Sequence, residues 1–161
     1  MPSFDIVCET DMQEVSNACN QTHKEITTRY DFKNSSASIT LNDGIFTIIG
    51  DDEHKVESVT EILRGKMVRR KLDPKLLEYG ALEDASGGLK RQIITIKQGV
   101  ERELAKRIVK QVKQEKMRVQ AAIQGDQVRI SGKKRDDLQA VIAMIRTMEC
   151  DRPLQCINFR D

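Results

Sequence analysis

The chain has 161 residues and 18.3 kDa, with 39% hydrophobic and 32% charged side chains, a globular rather than a disordered composition. Its 27 basic and 25 acidic side chains leave a net charge of +2, so bulk charge does not point to nucleic acid. No apolar run approaches the ~20 residues of a membrane helix, and the acidic start, lacking a basic segment, does not read as a secretory signal.

Residues 4–8 read as a short strand. Residues 12–30 predict a helix, with Val15, Ala18, Cys19, Thr22 and Ile26 on one stripe. Ile39 and Leu41, then Phe46 and Ile48, alternate with polar neighbours around Asn42-Asp43-Gly44, which is hairpin chemistry. Gly50 and the acids Asp51, Asp52 and Glu53 then lead into a second helix carrying Val56, Val59 and Leu63. Residues 73–90, with Pro74, Gly80 and Gly87-Gly88, predict a connection holding one irregular strand near 79–82 and the hinge of the chain. A strand at 92–97 and a helix at 100–114 follow, the helix striped with Leu104, Ile108, Val109 and Val112. Val119, Ala121 and Ile123, then Val128 and Ile130, alternate around Gly125-Asp126 as a second hairpin. A helix opening near Arg135-Asp136 and a strand at 155–159 complete the chain.

The two halves repeat. Shifting the chain by 82 residues lays Leu41 on Ile123, Phe46 on Val128, Ile48 on Ile130 and Gly50 on Gly132. Val56, Val59 and Leu63 likewise fall on Leu138, Val141 and Ile145. A shared apolar phase across a hairpin and a helix indicates a duplicated supersecondary unit. The expected fold class is α+β: two tandem ferredoxin-like (βαββαβ) domains, each an antiparallel sheet with its helices on one face.

Catalytic constellations are sparse. His23 and His54 fall on exposed helical faces, and Cys8, Cys19, Cys150 and Cys156 form no C-x-x-C pair. Cys19 sits on a core stripe, and four cysteines without an export signal read as reduced thiols of a cytoplasmic protein. The acids at 51–53 and 136–137 open helices, where capping accounts for them. No phosphate-cradling glycine loop is present. Arg70 and Asp73 match the R-x-x-D pattern seen in cyclic di-GMP sites, but two fixed letters carry little weight. These residues do not read as an enzyme, and no cofactor or metal is expected.

Charge is unevenly spread. Residues 1–80 carry 10 basic and 14 acidic side chains, whereas residues 90–135 carry 14 basic and four acidic ones. Arg102, Lys106, Lys110 and Lys113 lie opposite the apolar stripe of their helix; a solvated face is the ordinary reading, and attraction of a polyanion such as RNA is the sharper one. Arg129 joins them as an RNA candidate on the polar face of the second hairpin, with Gln120, Ala122 and Ser131. That face lacks the aromatics and the K/R-G-F/Y signature of an RNA-recognition domain, which leaves backbone contact rather than base reading.

MPSFDIV at 1–7, RYDFKN at 29–34, VQAAIQGDQVRISGKKRDDLQAV at 119–141 and NFRD at 158–161 closely resemble the bacterial YajQ family, over essentially the whole chain. The resemblance implies two ferredoxin-like domains that exchange first strands, residues 10–97 forming one and residues 1–9 with 98–161 the other. It also implies a cytoplasmic nucleotide-binding protein without established enzymatic activity. Cyclic di-GMP or another purine nucleotide is the implied ligand, a transcription regulator a partner, and tRNA or ribosomal RNA the alternative partner. On the matching segments, Arg29, Lys33, Lys133 and Arg135 are candidates for phosphate contact, Phe32 and Phe159 for stacking, and Arg160 for a guanine edge. Leu154 and Cys156 stand where relatives often have phenylalanine, which removes aromatics from any stacking pocket there, and Tyr30 replaces a frequent phenylalanine.

Overall fold

The computed structural model describes residues 1–161. Along the chain lie β1 (Ser3–Val7), α1 (Met12–Thr28), β2 (Ser38–Asn42), β3 (Ile45–Gly50), α2 (Glu53–Arg69) and β4 (Leu77–Asp84). They are followed by β5 (Lys90–Ile96), α3 (Arg102–Gln114), β6 (Val119–Gln124), β7 (Gln127–Gly132), α4 (Arg135–Thr147) and β8 (Gln155–Arg160). The chain forms two compact units: a central one, Thr10–Lys97, and a terminal one, Met1–Glu9 with Gln98–Asp161.

Each unit holds a four-stranded antiparallel sheet, ordered β2-β3-β5-β4 in the central unit and β6-β7-β1-β8 in the terminal one. This is the ferredoxin-like order with first strands exchanged, since β5 and β1 each complete the sheet of the other repeat. Both occupy an interior position, where a strand satisfies the ladder groups of two neighbours at once. β1 pairs with β7 and β8, and β5 pairs with β3 and β4.

Local chemistry sets the element ends. The Asp11 carboxylate caps α1 by accepting from the N–H groups of Gln13 (3.0 Å) and Glu14 (3.3 Å), and Asp52 caps α2 by accepting from Lys55 N–H at 2.8 Å. Asp43 and Gly44 both have positive φ (49° and 75°), the type I′ turn whose twist suits a two-residue hairpin. Each unit has its own core: Val15, Phe46, Ile48, Val59, Leu63, Met67 and Ile94 are fully buried in the central unit. In the terminal unit the same holds for Phe4, Ile6, Ile108, Val128, Ile130 and Val141. Fully burying each such side chain contributes roughly 1.5–3 kcal/mol. No helix is long and apolar enough to cross a membrane.

Two expectations are corrected. The helix expected to reach Tyr30 stops at Thr28, and Tyr30–Phe32 forms a 3-10 turn that buries Phe32. Residues 73–90 are not a hinge. Eight of them form β4, an edge strand paired with β5 inside one sheet. The register shifts between Tyr79 and Leu82, where a Cβ on Gly80 would meet the Ile93 carbonyl at 2.8 Å. The irregular strand expected near 79–82 is the middle of β4, and this bulge, which breaks the two-residue period, is the source of its irregularity. The chain passes between the units instead at Glu9–Thr10 and Lys97–Gln98.

Candidate functional site

In the terminal sheet the apolar residues of β1 and β7 turn toward α3 and α4, so the alternate positions line the helix-free face. Register places Ala122, Arg129, Asp5 and Ile157 in one row across that face, and Gln120, Ser131, Ser3 and Arg160 in the next. Asp5, at the centre, is fully buried. Its carboxylate accepts from Arg129 Nε at 2.9 Å and Nη2 at 3.5 Å, from Asn158 Nδ2 at 2.9 Å and from Arg160 Nη2 at 3.3 Å. Arg160 also donates to Ser3 Oγ at 3.4 Å.

A backbone irregularity assembles this group. The β1–β8 register shifts between Ser3 and Asp5, and Asn158 in the shifted segment has φ 57°. Such a bulge re-aims side chains, here bringing Asn158 and Arg160 onto one carboxylate. Burial pushes the Asp5 carboxyl up, but the hydrogen bonds from Arg129, Asn158 and Arg160 outweigh it and hold it below its ordinary value. Its bond to Asp5 holds the Arg129 guanidinium above its own. The arginine side chains stay 35% and 45% exposed, so N–H groups not directed at Asp5 remain available to an anion.

A cleft of about 450 Å³ adjoins this face, sharing Gln120 and Ser131 with the Arg160 row. Arg118, Lys133 and Lys134 line it against one acid, Asp137. Three cations against one carboxylate suit a phosphate-bearing ligand.

The residues singled out in the sequence separate into distinct places. Lys133 lies in the cleft and Arg160 on the adjoining face, joined there by Arg129 from the RNA set. Phe159, 60% exposed, stacks on Phe4 with centroids 5.5 Å apart, which puts it on the opposite side of the sheet from Arg160. Arg135 is exposed and pairs with Asp161, an ion pair open to solvent. In the central unit, Arg29 bonds to Glu25 at 3.2 Å and Asp31 at 2.8 Å. Phe32 is 5% exposed, its ring beneath Lys55 Nζ at 4.7 Å and the Arg29 guanidinium at 5.5 Å, so an external base has no open ring face to stack on. Lys33 is exposed beside this brace. Arg102, Lys106, Lys110 and Lys113 are exposed along α3, opposite buried Leu104, Ala105, Ile108 and Val112. Arg70 is engaged by Glu14 and Gln21, and Asp73 caps the turn before β4.

Burial raises the thiols of Cys8, Cys19 and Cys156, the direction of structural rather than nucleophilic cysteines. Asp5, Asn158, Arg118 and Lys134 were not singled out in the sequence. The one available signal was Asp5 itself, a lone acid inside the apolar strand SFDIV.

Fold and site together define a tandem ferredoxin-like protein with a cationic, carboxylate-anchored sheet face. Over residues 2–160 the chain matches the family described as "Nucleotide-binding protein YajQ-like", and it belongs to that family. It is 60% identical to Nucleotide-binding protein Mmc1_1670 of Magnetococcus marinus, over 100% of both chains. Nucleotide-binding protein Tgr7_1196 of Thioalkalivibrio sulfidiphilus is 52% identical, and Nucleotide-binding protein amb3630 of Paramagnetospirillum magneticum 50%, each again over 100% of both chains.

Proposed function

We propose that the protein is a non-enzymatic, cytoplasmic nucleotide-binding regulator. Cyclic di-GMP is its foremost ligand, and it acts on a protein partner in gene-expression control. The observation that carries this reading is the convergence of Arg129 and Arg160 on Asp5 beside the cleft of Arg118, Lys133 and Lys134. Relatives named as nucleotide-binding proteins over their full length support it. The guanidinium edges take phosphate or a guanine edge, and the lysines take the remaining phosphate charge. Arg29 and Phe32 are left out of this site because they are committed to the brace at the start of α2.

A second reading, association with tRNA or ribosomal RNA, is favoured by the exposed basic face of α3. Calorimetric titration of nucleic-acid-free protein with cyclic di-GMP, GTP, ATP and tRNA at two salt concentrations separates the two. Stoichiometric cyclic di-GMP binding with a shallow salt slope supports the regulator, since a dinucleotide carries few phosphates. Binding of tRNA alone, falling steeply with salt, supports the RNA reading. Binding of none removes both.

A further inference from the structure

We propose that Asp5 is the positioning residue of this face: it holds Arg129 and Arg160 so that their outer N–H edges together receive one phosphodiester in preference to a triphosphate. The proposal rests on the nucleotide reading above and assigns its chemistry to particular atoms.

The fold does not require a buried acid at this point. The central unit builds the same sheet with Ile93 where the terminal unit has Asp5, and with Thr47 where it has Arg129; Thr47 pairs with Ile93 just as Arg129 pairs with Asp5. An uncharged pair at this site is therefore compatible with the architecture, and burying a carboxylate instead is costly unless its hydrogen bonds are met. Here they are met by three side chains, one of them on a non-glycine residue at positive φ. Backbone strain and a buried charge concentrated on one spot are what a pre-organised binding group requires. An arginine already held in place loses less rotamer freedom on meeting a ligand than one free in solvent. Within the Asp5 cluster, apart from the cations of the adjoining cleft, two guanidinium charges against one carboxylate leave a single net positive charge, which matches the one negative charge of a phosphodiester.

The test titrates cyclic di-GMP, a short single-stranded oligoribonucleotide and GTP into the full chain, wild type and Asp5→Asn. Asp5→Asn removes a negative charge, so simple electrostatics predicts tighter anion binding, whereas loss of positioning predicts weaker binding. The expected result is a loss of about tenfold in diester affinity with GTP little changed. Whichever diester binds the wild type identifies its source. Equal or tighter diester binding by Asp5→Asn overturns the positioning role alone, and a wild type that takes GTP as tightly as either diester overturns the selectivity. A wild type that binds no probe overturns the nucleotide reading and this assignment with it. Should Asp5→Asn fail to fold, Asp5→Ile, which copies the central unit's residue at this point and keeps both arginines, decides the matter. Folded protein with lost diester binding supports the proposal, and retained binding overturns it.

Discussion

The two units share a sheet order and a helix arrangement, yet their helix-free faces have opposite chemistry. In the central unit that face is built of Ile45, Thr47, Ile49, Ile93 and Thr95, with Arg91 at one end. In the terminal unit the corresponding rows hold Ser3, Asp5, Arg129, Ser131 and Arg160. Both sheets have a register shift where the edge strand meets the exchanged strand, between Tyr79 and Leu82 in one and between Ser3 and Asp5 in the other. The central unit places Gly80 there, against a backbone carbonyl, while the terminal unit places Asn158 there to serve a carboxylate. The same packing thus recurs in both cores, whereas the faces beyond them carry different side chains. Chemistry accumulated on one of them.

The largest expected effect sharpens this comparison through a buried arginine of the terminal unit. Arg152 is 7% exposed and donates to the Gly99 carbonyl at 3.1 Å while bridging Asp151 and Glu101. Arg152→Ala should destabilise the terminal unit by about 3 kcal/mol, because truncating the buried side chain leaves a cavity and takes the donor from the buried Gly99 carbonyl. Hydrogen exchange resolved by unit should show the loss there and leave Thr10–Lys97 protected.

Paired glycines provide the next contrast. A Cβ on Gly50 would sit 2.8 Å from the Val56 backbone nitrogen, whereas on Gly132 it would sit 3.2 Å from a Val119 methyl that can yield. Gly50→Ala should cost about 2 kcal/mol, with Gly132→Ala less than half of that. Urea midpoints for the two variants check the order.

Smaller in energy, but decisive for the site, Arg129→Ala should weaken cyclic di-GMP binding about tenfold, or ~1.4 kcal/mol, while Arg29→Ala leaves it unchanged. Equal losses in both would erase the distinction between the faces. The smallest effect is in acid. The Asp5 carboxyl titrates below its ordinary value of 3.8 in the folded protein. Its ionisation therefore stabilises the fold above the unfolded value, and this contribution disappears as pH falls through the folded one. Unfolding free energies from urea titration should drop more between pH 6 and pH 3 for wild type than for Asp5→Asn, by a difference of less than ~1 kcal/mol.

Much of the fold was legible because it is written in local periodicity. Ile39 and Leu41 against Phe46 and Ile48, and their counterparts 82 residues on, carry the two-residue alternation of half-buried hairpins. The stripe of Val15, Ala18, Cys19, Thr22 and Ile26 is the buried face of α1. β4 was legible only as a short irregular strand at 79–82, for the converse reason: its bulge interrupts the alternation, and an edge strand exposed over nearly all its length gives no apolar face to read. The site was legible only in fragments. Arg129 and Lys133 stood out as cations in one segment and Arg160 in another, but nothing in their spacing relates them to Asp5, which lies 124 positions before Arg129 and 153 before Asn158.

By itself the sequence determined the duplicated βαββ units, their helix stripes and hairpin turns, because those follow from backbone sterics and local apolar spacing. Only the tertiary structure decided which strand closes which sheet as observed, that Arg29 and Phe32 serve a brace, and that one buried aspartate gathers two distant arginines. Strand closure and the aspartate cluster depend on long-range pairing, where a single register shift turns side chains from one face of a sheet to the other, and the brace draws in Lys55 from α2.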